Sequence, residues 1–251
     1  MSEVINESFT EEPALGSRKA AVSDEALLRE RYNLFYSQAS IGLVPVILAL
    51  LVATYLVYER VNLGWISAWV AIISISYAWR FKIRHDYRVA NWQDKTSKRW
   101  LYLNIVSVAL TGLSWSIGSV LFFPVNALDQ LWLILILGFL AAGNSLTHAA
   151  LPWVSQVFIV TILVPMLVYL INLGTERYLI AAGILFLFVS SLIAIGFRTQ
   201  KFIVNSILER FSAEVLVRHF QEANVTANEL NIALAQEIAD KKRVEKELSY
   251  S

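Results

Sequence analysis

The chain is expected to be an all-α, polytopic membrane protein with six transmembrane helices and a long C-terminal cytoplasmic helix that forms a parallel coiled coil. Three observations carry that expectation. Of the 251 residues, 57% are hydrophobic and only 16% charged, against the 45–50% and about 25% usual in soluble domains. The charges are segregated between long apolar stretches. The last fifty-odd residues, from Arg198, contain neither proline nor glycine and repeat apolar residues at heptad spacing.

Residues 1–22 are read as a disordered cytoplasmic tail. With Glu3, Glu7, Glu11 and Glu12 there is no short apolar core of a cleavable signal peptide, so the first span acts as the targeting signal. In residues 23–40, Leu27, Leu28, Leu34 and Phe35 recur at near-helical spacing among Arg29, Glu30 and Arg31. This segment is either an amphipathic juxtamembrane helix on the inner leaflet or an extension of the first span.

A hydrocarbon core about 30 Å thick takes about 20 apolar residues in a helix. Runs free of Asp, Glu, Lys and Arg occur at Ile41–Tyr58, Leu63–Trp79, Trp100–Phe123, Leu131–Ala150, Leu151–Leu173 and Tyr178–Phe197. They define a membrane domain over residues 41–197. The fourth and fifth run together, and the turn between them is placed near His148–Pro152, because proline suits the first turn of a helix and disfavours helix before it. Arg60 and Arg177 are the only basic residues on one side of these spans, and the other 19 of the 21 lie on the other. The positive-inside rule then puts both termini in the cytoplasm.

In residues 198–251 eight basic and eight acidic side chains surround a seam of Leu216, Phe220, Ala223, Ala227, Leu230 and Leu234, resumed at Val244 and Leu248. Glu237 and Lys241 interrupt the seam, which makes a weak coiled coil. A continuous helix of this length would reach roughly 75 Å at 1.5 Å per residue.

The composition removes several chemistries. Without cysteine there are no disulfides, thiolate metal sites or cysteine nucleophiles. His148 is the one histidine in or near a span, so a bis-histidine haem lacks its second ligand there. No lysine lies in a span to form a retinal Schiff base, and no glycine-rich phosphate loop is present. No cofactor and no nucleic-acid partner is expected, and catalysis is not expected in this chain. Because no ionisable residue interrupts a span, a transporter or channel is the second reading rather than the first.

Neutral polar groups remain. Trp115, Asn144, His148 and Gln156 are the candidate ligand-binding residues, for hydrocarbon cannot satisfy amide and imidazole groups. The alternatives are a pocket for a small amphiphilic ligand and a purely structural hydrogen-bond cluster. An Asn104–Asn144 bond between helices belongs to the second. Pro152 and Pro165 are candidate hinges, since each removes a backbone donor. Gly138, Ala142 and Gly143 permit close helix approach.

The stretch Leu28-Arg29-Glu30-Arg31 through Leu34-Phe35-Tyr36-Ser37-Gln38-Ala39, then Leu110-Thr111-Gly112-Leu113-Ser114-Trp115, Leu121-Phe122-Phe123-Pro124, Ala141-Ala142-Gly143, Leu151-Pro152 and Val164-Pro165, resembles the multi-pass N-terminal sensor region of bacterial signalling proteins. The tail Glu237–Leu248 is similar to the signalling helix that leads into an output module. The resemblance covers residues 25–251. It implies a homodimeric sensor of the bacterial inner membrane, in contact with membrane lipid. The module would couple a membrane-borne or periplasmic cue to a diguanylate cyclase, phosphodiesterase or histidine kinase beyond Ser251.

Overall fold

The computed structural model describes residues 24–38, 43–91 and 94–248. Among them the structure is all-helical, with seven α-helices and one 3-10 turn. The helices are α1 (Asp24–Gln38), α2 (Leu43–Val57), α3 (Leu63–Val89), α4 (Lys98–Leu121), α5 (Ala127–His148), α6 (Val154–Leu173) and α7 (Glu176–Leu248), with the 3-10 turn at Asp94–Thr96. The tail expected at residues 1–22, and Ala39–Gly42 before the first span, lie outside the described residues.

Four helices are long and apolar enough to cross a membrane: α4, α5, α6 and the Glu176–Gln236 stretch of α7. That is the character of a membrane protein. The remaining two apolar runs are helical as well. α2 has 15 residues, or about 22 Å at 1.5 Å per residue, short of a 30 Å core by itself. α3 is long enough at 27 residues, but Trp65, Trp69, Trp79, three serines and Arg80 dilute its apolar character.

Local chemistry sets the helix ends. The side-chain oxygens of Asn62, Ser97 and Asn126 accept bonds from the backbone N–H groups of Gly64, Arg99 and Leu128 at 2.8, 3.3 and 3.1 Å, capping α3, α4 and α5. Gly174 ends α6 in the left-handed region at φ 69°, the C-terminal conformation glycine adopts without strain. The turn between α5 and α6 falls at Ala149–Trp153, where the histidine and proline had placed it. Trp153 takes a left-handed φ of 65° there. Pro152 thus sits in the interhelical turn rather than in the first turn of α6, and Pro165 lies inside α6.

The membrane part belongs to one unit, Ser23–Asn205. Its core is the pairing of α4 with α6, flanked by α3 against α4 and α5 against α6. The α4–α6 approach is close because Gly112 faces Thr161. A Cβ at Gly112 would overlap the Thr161 hydroxyl and lie 3.0 Å from its Cβ. The outer faces are apolar, with Leu48, Ile75, Leu135, Phe139 and Leu187 exposed as lipid contact demands. The membrane half of α7 meets α5 through Phe188 on Gly138. It also meets it through Tyr178, whose hydroxyl accepts from Gln130 Nε2 at 3.1 Å.

The second unit holds Ser206 onward. Its apolar seam is exposed among the described residues: Leu216, Phe220, Leu230 and Leu234 are 71%, 70%, 68% and 55% exposed. The side chains of Val244 and Leu248 lie outside the described residues.

Candidate functional site

Helix α1 buries an aromatic face. Tyr32, Phe35 and Tyr36 are 0%, 4% and 5% exposed; sequence spacing had picked out Phe35 with Leu27, Leu28 and Leu34, but neither tyrosine. Tyr36 stacks on Tyr87 of α3 at 4.3 Å between ring centroids, and Tyr87 meets Trp100 of α4 edge-on at 5.3 Å. Asn104 Nδ2 donates to the Tyr36 hydroxyl and to the Trp100 carbonyl, both at 2.7 Å. The expected Asn104–Asn144 bond is therefore replaced. Asn144 Nδ2 turns back on its own helix, to the Leu140 carbonyl at 2.8 Å.

Arg31 Nε fastens α1 to the α5–α6 turn by donating to the Ala150 carbonyl at 2.7 Å. Burial lowers the pKa of this guanidinium below its ordinary value. It pushes the Tyr32 phenol up to about 12 and raises Tyr36 further, against the Asn104 bond that pulls Tyr36 down.

His148, 4% exposed, ends α5 between Phe35 and Phe158 at ring separations of 5.3 and 6.2 Å. Its Nδ1 faces the Asn144 carbonyl at 2.9 Å, and a carbonyl only accepts. Nδ1 therefore carries the proton, which leaves Nε2 to accept from the Arg80 guanidinium of α3. The imidazole is neutral in this arrangement, and Arg80 keeps its charge with no carboxylate in salt-bridge range among the described residues.

Arg80 is the residue that sequence reasoning missed. It stands one position after the apolar run Leu63–Trp79 and so falls outside the expected span, but nothing stops α3 before Ala90. The helix carries it inward. Although it lies beyond the apolar run, Arg80 reaches a neutral histidine inside the bundle.

Trp115, fully buried, meets Trp69 edge-on at 5.9 Å. Its indole N–H faces the Tyr77 hydroxyl of α3 without the geometry of a full hydrogen bond, and neither group has another partner among the described residues. The Arg80 guanidinium carbon lies 5.4 Å from the centre of the Tyr77 ring. Trp115 and His148 are thus joined through Tyr77 and Arg80, two α3 residues absent from the expected site.

Gln156 belongs to another cluster. Its two amide atoms, Ser145 Oγ and Ser155 Oγ are buried without partners, and they gather at Gly196 of α7. The position of a Cβ there is 3.1 Å from Ser155 Oγ, 3.3 Å from Gln156 Nε2 and 3.7 Å from Ser145 Oγ. The four expected site residues divide between two places, with Asn144 contributing its carbonyl rather than its amide. Among the described residues no three His, Asp or Glu side chains gather to hold a metal.

Comparison with protein-family models, curated proteins and solved structures finds no match to this chain.

Proposed function

We propose that the chain is a membrane-embedded sensor and signal-transmission module, dimeric through α7 and continued by a cytoplasmic output enzyme. The observation that supports this reading is the continuity of α7. One helix begins as an apolar span with Leu185, Val189 and Leu192 buried, and ends as a charged helix whose heptad seam is exposed among the described residues. In this reading the helix that carries the span is the same helix that carries the seam. An exposed row of Leu and Phe on a charged helix calls for a second helix.

The six spans, the cytoplasmic termini and the bacterial inner membrane belong to this reading, as does an output of the cyclic-di-GMP or histidine-kinase type. The test is cysteine crosslinking in native membranes. Cysteines at Leu230 or Leu234 are expected to crosslink efficiently and those at Glu229 or Gln236 poorly. Equal yields from all four would refute a fixed parallel seam.

A second reading, a small transporter or channel, is favoured by Arg80 on His148, because ionisable groups within a membrane bundle often line transport paths. Reconstituted vesicles would distinguish the two: solute or ion flux abolished by Arg80→Gln supports transport.

A further inference from the structure

The interior groups left without partners along the α3–α4 seam have a common chemistry. Trp115 Nε1 is a donor only and faces the Tyr77 oxygen, which leaves the Tyr77 hydroxyl free to donate onward, and the Arg80 guanidinium is a cation with donors to spare beyond the one it gives His148. What the cluster lacks is an acceptor, and for charge balance an acceptor with one negative charge. No Asp or Glu supplies it among the described residues.

Depth narrows the chemistry further. Arg80 stands about 25 Å along α3 from Leu63 at 1.5 Å per residue, near the far edge of a hydrocarbon core about 30 Å thick. A charge there is costly unless paired or wetted, and the molecules with anionic oxygens at that level are amphiphiles.

We propose that Arg80, Tyr77 and Trp115 form a receptor for the singly charged oxyanion head of a membrane amphiphile, a carboxylate or phosphodiester on an apolar chain. The guanidinium fork takes two oxygens side by side, a geometry a lysine cannot reproduce. The Tyr77 hydroxyl and the Trp115 N–H donate from the inner side.

Binding also has a route outward. A bidentate oxyanion competes with His148 Nε2 for the same guanidinium. Released from Arg80, the imidazole keeps its Nδ1 bond to the Asn144 carbonyl but loses its partner at Nε2, between Phe35 of α1 and Phe158 of α6. This site gives the sensor reading its ligand class and rests on that reading. Its test is independent, because binding is measured without any output and seam crosslinking is measured without any ligand.

The experiment titrates the full chain in neutral detergent with oleate, oleyl alcohol, phosphatidylglycerol and phosphatidylcholine, reading bound copies by native mass spectrometry and thermal stability in parallel. Oleate or phosphatidylglycerol is expected to bind about tenfold or more tightly than its neutral counterpart, the scale of a charge-assisted bidentate contact. Preference for oleate identifies a free amphiphile and preference for phosphatidylglycerol a membrane phospholipid; either supports the oxyanion site. Arg80→Gln should abolish the preference, Arg80→Lys should weaken it, and Tyr77→Phe should reduce it several-fold. Lys82→Gln, on the exposed face of the same helix, should leave it intact. Equal binding of charged and neutral probes by the wild type overturns the proposal. If Arg80→Gln fails to fold, an undiminished preference in both Arg80→Lys and Tyr77→Phe overturns it as well.

Discussion

Gly118 is where one added methyl group should be most damaging. A Cβ on this residue of α4 would overlap the indole ring of Trp69, and the space is occupied on the pyrrole side, where Nε1 donates to the Ser114 carbonyl at 2.9 Å. Trp69 is 5% exposed and also holds Trp115 and Phe122 edge-on at 5.9 and 5.8 Å. The ring is rigid, so it must leave as a whole. Overpacking of this kind costs about 1–3 kcal/mol, loss of the hydrogen bond about 1 kcal/mol, and each displaced aromatic pair about 0.5–1.5 kcal/mol. Helix propensity returns about 1 kcal/mol for Gly→Ala. Gly118→Ala is therefore expected to destabilise the folded protein by about 2–6 kcal/mol. Thermal unfolding in detergent, with the near-ultraviolet circular dichroism of the coupled tryptophans, measures both parts. Gly143→Ala is the control, because nothing lies within 4 Å of its would-be Cβ; it should be neutral or slightly stabilising. Wild-type stability with an unchanged tryptophan spectrum in Gly118→Ala would show the α3–α4 contact argued here to be wrong.

Gln156→Leu should raise thermal stability by about 1 kcal/mol, since it removes two buried amide atoms that have no partner; a loss instead would mean that these atoms bind something in the membrane. Alkaline pH should loosen α1. Below pH 10 Tyr32 is neutral folded or unfolded, whereas between 10 and about 12 the unfolded phenol ionises and the buried one does not. Docking of α1 thus weakens with rising pH over that window and levels off above, an effect Tyr32→Phe should diminish in limited proteolysis across that range. For topology, cysteines at Asn126 and Thr175 should react in whole cells with an impermeant thiol reagent and one at Thr96 should not; the opposite pattern reverses the orientation.

Periodicity and charge segregation determined the helical class, the positions of the helices and the long polar C-terminal helix, because a 20-residue run of Leu, Ile and Val without charges has few physical alternatives. They also located the α5–α6 turn, where a proline follows the only polar cluster between two apolar runs. The partners of polar groups were a different matter. Asn104 was assigned to Asn144 on depth alone, yet Tyr36, 68 positions away in the chain, reaches it first. Arg80 read as loop because apolarity ends at Trp79, but helix continues through hydrogen bonds that hydropathy does not register, and the rotation of α3 then sets which way a side chain points. Trp115, His148 and Gln156 were singled out as polar groups needing partners in a membrane. Which of them share a site was decided by crossings such as Gly112 on Thr161 and Gly196 on Ser155. Those crossings depend on which faces of distant helices fit together, and a linear pattern carries the face of each helix without the identity of its neighbour.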